Sequence, residues 1–323
     1  MIVTLTVNPS LDRTVELDRE LERGEVQRVA RSVEEPGGKG VNVTRALVAA
    51  GADSIAVLPG RADDPLVVAL AGVGLPVATV PIAGRLRSNI AITEPDGVTT
   101  KLNEPGPALD DDEQRALIRV AIGRSADASW LVLAGSLPPS LPDDFYVRVV
   151  REVRAAGVSA RIAVDTSGAP LAALLDSGEE VDLIKPNGEE LAELTGELDP
   201  DALEADPERV AELAARLAPR GIRSALVTLG ARGAVHVGTE GAWFAPAPRI
   251  DARSTVGAGD SSLAGYLLAV TEGAAPDRAL AQAVAHGAAA ASLPGSAVPT
   301  RAEADAAAIT AIRIRGAVAP AVH

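Results

Sequence analysis

The 323-residue chain has no cysteine, which removes disulfides, thiolate catalysis and Cys-ligated zinc from consideration at once. Histidine is nearly absent as well. His236, His286 and His323 are far apart in sequence and offer no spacing for a His-based metal site. Basic charge is in deficit, with 30 Lys and Arg against 44 Asp and Glu and a formal net charge of -14. Nucleic acids and anionic membranes both require a basic face, so neither is an expected partner, and any anionic substrate must be met by a local cluster of positive groups. No 18-residue stretch reads as a membrane span, because Gly, Pro and charge break the alanine-rich runs. Nor is a targeting segment visible: MIVTLTVNPSLDRT lacks a basic region ahead of an apolar run and reads as a β-strand, which makes the cytoplasm the default location.

What the chain does have is 47% hydrophobic and 23% charged residues, enough for one large α/β domain or two ordinary ones. Short apolar runs at Ile2–Val7, Ser54–Leu58, Trp130–Ala134, Ala160–Asp165, Leu183–Lys185 and Ala225–Leu229 read as buried strands. Between them lie helical stretches such as Val41–Ala50, Asp64–Ala71, Asp143–Ala156, Pro207–Ala218 and Ser261–Val270. Alternation of this kind predicts a mainly parallel sheet with helices on both faces and ligands at the carboxyl ends of its strands. Two segments break the pattern. Arg13–Glu34 and Arg87–Asn103 alternate apolar and polar residues (VELD, VQRVARSV, NIAIT, GVTTKLN), as exposed antiparallel strands do. They predict a small lid sheet made of 13–34 and 87–103 over a core made of 1–12, 35–86 and 104–315. No internal repeat is seen, and RGAVAPAVH after Ile314 is expected to fray.

Residue usage adds an internal clue. Of 30 basic residues 27 are arginine, so Lys39, Lys101 and Lys185 stand out, as do the five asparagines Asn8, Asn42, Asn89, Asn103 and Asn187. All five asparagines lie beside turns or strand ends, which can reflect simple turn preference or convergence on one site. In GGKGVNVTRAL (37–47) the glycines allow close backbone approach, Lys39 offers a point charge, and a helix near Val41 aims its positive end at the turn. The Walker A pattern fails because Lys39 is followed by Gly40, and no G-x-G-x-x-G follows the first strand.

In STVGAGD (254–260), Asp260 follows Gly257-Ala258-Gly259 at a helix start. It can be a cap. It can equally be a base for a hydroxyl nucleophile beside a nest of N–H groups that receives developing negative charge. In KPNGEE, Asn187 and Glu190 are one helical turn apart, a spacing of oxygen ligands that suits a hydrated Mg²⁺ beside ATP phosphates, although Glu190 can also be an ordinary solvated helix residue.

Through GGKGVN at 37–42, KPNGEE at 185–190 and STVGAGD at 254–260, the chain resembles the PfkB carbohydrate kinases, the ribokinase-like family. TVNPSLD, NVTRAL, LAGSLPPSLP at 133–142 and DTSGAP at 165–170 are similar to the branch that phosphorylates phosphorylated ketohexoses, which includes 1-phosphofructokinase, the minor 6-phosphofructokinase and tagatose-6-phosphate kinase. The resemblance runs from about residue 2 to about 300 and implies a three-layer α/β/α core with a small β lid that often mediates dimerisation.

The resemblance also implies roles. Asp260 matches the catalytic base, Gly257, Ala258 and Gly259 the anion hole, and Asn187 and Glu190 the segment that positions Mg²⁺ through water. Asp12, Gly38, Lys39, Asn42 and Ser136 match the sugar site, with Arg87 and Asn89 gripping the phosphate already on the sugar. Lys185, Thr228, Gly230 and Gly233 would line ATP, with the region of His286 near adenine. One position departs: Ser254 stands where many ribokinase-like kinases carry an aspartate of a monovalent-cation site, so potassium activation does not follow from the resemblance. The implied reaction is ATP-dependent phosphorylation of fructose 1-phosphate, with fructose 6-phosphate and tagatose 6-phosphate as alternatives. EPGP at 104–107 is closer to the users of 6-phosphates. A ribose or nucleoside kinase would need no Arg87 clamp, and a non-catalytic sensor would not need both the base and the glycines.

Overall fold

The computed structural model describes residues 1–314; residue 315, His323 and the tail expected to fray lie outside the described residues. In chain order, β1 (Ile2–Leu5), β2 (Ser10–Glu16) and β3 (Arg31–Gly37) precede α1 (Lys39–Ala49), β4 (Ser54–Pro59), α2 (Pro65–Gly72), β5 (Val77–Val80), β6 (Arg87–Thr93) and β7 (Thr99–Asn103). The middle of the chain forms α3 (Asp111–Ser125), β8 (Trp130–Ala134), α4 (Phe145–Ala155), β9 (Arg161–Asp165), α5 (Ala169–Ser177) and β10 (Leu183–Ile184). It continues through α6 (Gly188–Thr195), α7 (Pro200–Glu204), α8 (Pro207–Ala215) and β11 (Ala225–Thr228). Last come β12 (Gly233–Gly238), β13 (Gly241–Pro246), α9 (Ala258–Thr271), α10 (Pro276–Ala291) and β14 (Ile312–Ile314).

Ten strands form one sheet in the order β14-β13-β12-β11-β10-β9-β8-β1-β4-β5. It is parallel from β11 to β5 and antiparallel from β11 to β14. Its strands are apolar on both faces because both are covered. Along β8, Leu131 and Leu133 pack into the cluster under α2 to α6 and α8, whereas Trp130, Val132 and Ala134 pack under α1, α9 and α10. The three layers follow from that period of two.

The segments with exposed alternation form a separate four-stranded sheet, β3-β2-β6-β7. Its register pairs Asp12 with Asn89 and Glu35, which brings the two insertions side by side. The strands are shorter than the alternation suggested on one side: VQRVARSV is extended only from Arg31, and residues 17–30 are irregular, because no partner strand runs beside them. At the other end the pairing reaches further than expected, from Ser10 and to Gly37. No helix among the described residues is long and apolar enough to cross a membrane.

Candidate active site

β1 lies between β8 and β4, so chain progress across the sheet reverses on either side of it, the place where open α/β sheets leave a crevice at their carboxyl ends. The loops and helix starts that meet there carry most of the residues singled out above.

Gly257 takes the left-handed conformation (φ 74°) and α9 begins at Ala258, three residues before the expected Ser261. Asp260 therefore sits inside the first turn and is not the cap; α9 has no side-chain cap at all. Ala258 N–H is turned onto the Thr255 carbonyl (3.3 Å), which takes it out of the anion hole that the resemblance implies. Gly259 and Asp260 make no such bond among the described residues, and their N–H groups, early in the first turn, face the positive end of the helix where an anion can be received.

The Asp260 carboxylate is buried, and Asn42 Nδ2 donates to its Oδ2 at 2.8 Å; Oδ1 has no partner among the described residues. Burial, with the like charge of Asp165, pushes its pKa up to about 6 against the pull of Asn42, Lys185 and Lys39. A carboxylate that ionises just below neutrality is suited to accept a proton.

Asp165, at the end of β9, opens the DTSGAP segment but was given no role in the sequence reading. Fully buried, it accepts from Lys39 Nζ at 2.6 Å through Oδ1 and pairs with Lys185 Nζ at 3.2 Å through Oδ2. Burial works against its charge, but the two lysines hold the carboxyl below the ordinary carboxylate range. Burial likewise opposes the charge of Lys39, yet Asp165, helped by Glu190 and Asp260, holds that ammonium above the usual lysine value. A side chain at Gly259 would stand 3.5 Å from Lys185 Nζ, so this lysine borders the start of α9. The third lysine, Lys101, is exposed on β7 with Asn103, outside the cluster. Lysine scarcity thus pointed to two members of the site and one bystander.

On the side of the small sheet, Asp12 Oδ1 accepts from Ser10 Oγ (2.7 Å) and Asn89 Nδ2 (2.9 Å). Gly37 lies so close to Asp12 that any side chain there would collide with the carboxylate. Gly38 precedes α1 at φ 117°, a conformation that favours glycine, and sets Lys39 as the first helical residue. Arg87 donates to the carbonyls of Asn8 (3.0 Å) and Glu104 (3.3 Å), while Asn8 Nδ2 donates to the Pro105 carbonyl (3.2 Å) and to Ser136 Oγ (3.4 Å). The EPGP segment therefore braces the arginine. Arg87 Nε, Asn8 Oδ1 and Asn89 Oδ1 are buried without partners among the described residues, an arrangement that a polar ligand can complete.

Asn187 and Glu190 form a reciprocal capping box: Asn187 Oδ1 accepts from Glu190 N–H (2.7 Å) and Glu190 Oε2 from Asn187 N–H (2.9 Å). The spacing read as metal-binding is in the first place a helix start. Among the described residues no group of three or more His, Cys, Asp or Glu could cage a metal. One carboxylate oxygen of Glu190 is left over, which fits a hydrated Mg²⁺ held through water and not a protein cage.

Thr228 closes β11 beside Asn187, and Gly230 is exposed in the turn that follows. Gly233 is buried with its open side against the Ala245 carbonyl, so sheet packing demands glycine there. His286 has no exposed surface; its Nδ1 faces Gln282 and its ring packs on Gly265 of α9. That histidine is part of the α9–α10 contact and is not presented to a nucleotide. Ser254 Oγ accepts from Val256 N–H (3.2 Å) and so serves the turn before α9.

Comparison with known proteins gives a consistent picture. The family model described as "pfkB family carbohydrate kinase" matches residues 6–303. The chain is 34% identical over 294 residues to the ATP-dependent 6-phosphofructokinase isozyme 2 of Escherichia coli K12, covering 90% of this chain and 92% of that protein. It is 33% identical over 290 residues to 1-phosphofructokinase of Xanthomonas campestris pv. campestris, covering 84% and 85%. The crystal structure of phosphofructokinase-2 from Escherichia coli in complex with substrates and products superposes with a TM-score of 0.84 at 31% identity, covering 94% of this chain and 96% of that one.

Proposed function

The chain belongs to the pfkB family of carbohydrate kinases, and from that premise we propose that it transfers the γ-phosphoryl group of ATP to a ketohexose phosphate. Fructose 1-phosphate, giving fructose 1,6-bisphosphate, is the first-choice acceptor. The observation that carries the reading is the Asp260 carboxylate, held at one oxygen by Asn42 and free at the other, beside the unpaired N–H groups of α9 and the Lys39–Asp165–Lys185 cluster.

In the proposed reaction the sugar hydroxyl approaches Asp260 Oδ1, which takes its proton as the hydroxyl oxygen bonds to the γ-phosphorus. The bond from that phosphorus to the β–γ bridging oxygen breaks, and ADP leaves with the electron pair. Charge on the transferring group falls at the positive end of α9 and near Lys39 and Lys185, a local positive field in a chain of net charge -14. Mg²⁺, when bound, offsets the charge of the nucleotide phosphates, with Glu190 and Asn187 as the residues that would hold it through water. We read the four-stranded sheet as a lid that excludes water over the acceptor and as the surface for a homodimer. The setting we assign is the cytoplasm.

Arg87 is assigned to the phosphate already on the sugar. Arg87→Ala is expected to raise KM for the sugar phosphate at least about tenfold, the scale of one charge-assisted hydrogen bond, with KM for ATP changed far less. Equal changes in steady-state kinetics would remove the assignment. Fructose 6-phosphate is the second reading, favoured by the EPGP segment whose Glu104 and Pro105 carbonyls brace Arg87 and Asn8. An ADP-release assay with Mg-ATP and fructose 1-phosphate, fructose 6-phosphate, tagatose 6-phosphate, ribose and fructose tests both; turnover only on the unphosphorylated sugars would overturn them.

Glu190 can be tested apart from its capping role. Glu190→Gln keeps an oxygen for the Asn187 N–H but removes the charge, so the melting temperature is expected to stay within about 2 °C while the Mg²⁺ concentration for half-maximal rate rises several-fold. A magnesium dependence like the parent's would leave Glu190 a capping residue only.

A further inference from the structure

Asn42 has two neighbours of opposite sign. Its Nδ2 donates to Asp260 Oδ2 at 2.8 Å, and its Oδ1 accepts from Arg45 Nη1 at 3.4 Å, one turn further along α1. The same Nη1 donates to the Pro36 carbonyl (3.3 Å) on β3 and to Ser296 Oγ (3.2 Å) in the loop after α10. The Ser296 N–H in turn points to Glu35 Oε2 (3.4 Å). Arg45 is half-buried; burial lowers its pKa, and Glu35 and Asp12 support its charge. No role for this arginine follows from the reaction as derived above.

We propose that Arg45 is a positioning residue that locks the Asn42 amide with its NH₂ toward Asp260, and that it does so from a joint between β3, α1 and the loop after α10. The inference rests on the reading of Asp260 as the base.

An amide turned by 180° exchanges its donor and acceptor ends. In the observed orientation carboxylate meets NH₂ and guanidinium meets carbonyl, both attractive. Turned over, carbonyl would face carboxylate and NH₂ would face guanidinium, both repulsive. Without Arg45 the carbonyl end loses its donor, and the amide is held by Asp260 alone. The other groups that act on Asp260 are Asp165 from β9, Lys185 after β10 and Lys39 from α1, while α10 presents Gly287 against the first turn of α9. Arg45 makes no direct contact with the Asp260 carboxylate among the described residues; the hydrogen-bonded route between them is Asn42.

The test uses the whole protein. Labelling with ¹⁵N-asparagine yields only five side-chain amide pairs, and Asn42→Ser identifies the one of interest. In the parent that pair should titrate with the Asp260 carboxyl, near pH 6, and the acidic limb of kcat/KM should share the midpoint. In Arg45→Met both midpoints are expected to rise by about one pH unit, the equivalent of one hydrogen bond to a charged group, with the rate recovered at high pH. In an Asn42→Ser background the same change should add no shift. Parent midpoints in Arg45→Met, or an undiminished shift in the Asn42→Ser background, would overturn the proposal.

Where Met is not tolerated, Arg45→Lys is read instead: all three acceptors meet the single nitrogen Nη1, and the lysine ammonium sits one bond short of that position, so it holds the Asn42 carbonyl less well; a smaller upward shift supports the proposal and unchanged midpoints reject it. Turnover by Asp260→Asn would sink the base assignment separately. The amide titration needs no turnover, so it would still report whether Arg45 holds Asn42.

Discussion

Asp260→Asn is expected to lower kcat by about 10² to 10⁴, the usual loss for a positioned base, with nucleotide still bound, and to make the protein more stable at pH 8. The two halves have one cause. Burial and Asp165 raise the Asp260 pKa from 3.8 to about 6, so keeping it ionised in the folded state is unfavourable. A group whose folded pKa is raised contributes stability below its unfolded pKa and loses that contribution as pH climbs through the folded value. The asparagine, like the protonated acid, is neutral at every pH. Its advantage should therefore be absent at pH 4 and below, grow between about 4 and 6, and reach roughly 3 kcal/mol above that, at about 1.4 kcal/mol for each pKa unit. Melting curves of both proteins at pH 4 and pH 8, beside an ADP-release assay, check it. Near-parent turnover would dismiss Asp260 as the base, and an Asn variant less stable than the parent at pH 8 would show that the carboxylate is not held against its own desolvation.

The sequence read well wherever function and fold were written in the same short segment. Apolar runs of three to six residues marked six of the seven parallel strands and missed β5 at 77–80, and the alternation in 13–34 and 87–103 marked the two segments that form most of the small sheet. Lys39, Asn42, Lys185 and Asp260 were legible because glycine-flanked turns and scarce residue types marked them. The role of Asp165 was not, although it ends the otherwise apolar run RIAVD and opens DTSGAP, because a single carboxylate has no spacing to read. Its meaning depends on two lysines, one of them 126 residues away in sequence. The one available signal was that a charge at the end of a buried strand must find a partner.

Two other segments were ambiguous for a related reason. N-x-x-E is the signature of a capping box as much as of a metal segment, and the local sequence does not separate them. His286 was carried over from the resemblance as lying near adenine, yet its place inside an alanine-rich helix packed on α9 makes it a core residue. Scarcity marks a residue as unusual, and packing decides whether the reason is chemistry. Arg45 escaped notice for the opposite reason, since one arginine among 27 carries no mark of its own.

Asp165→Asn should give the largest change in stability together with a deep loss of activity. Lys185 is only 5% exposed and Asp165 not at all, so the substitution strands a buried ammonium without its counter-charge. Breaking a buried pair from one side costs roughly 3–5 kcal/mol, because the remaining charge stays desolvated. Asp165 has a depressed folded pKa, so its contribution is present above the unfolded value, about 3.9, and is lost as pH falls through the folded value. The penalty, read from denaturant midpoints, should therefore be full at pH 7 and shrink as the parent itself loses the pair in acid. Removing Asp165 also takes away the like charge that raises Asp260, so the acidic limb of kcat/KM should move to lower pH in whatever activity remains. A structural role alone would not move that limb. The companion variant Asp165→Asn/Lys185→Met, which deletes the stranded charge, should recover much of the stability and none of the turnover. If the single variant were as stable as the parent, or the double variant as active, the lysine–aspartate–lysine cluster would not be holding the phosphate end of this site.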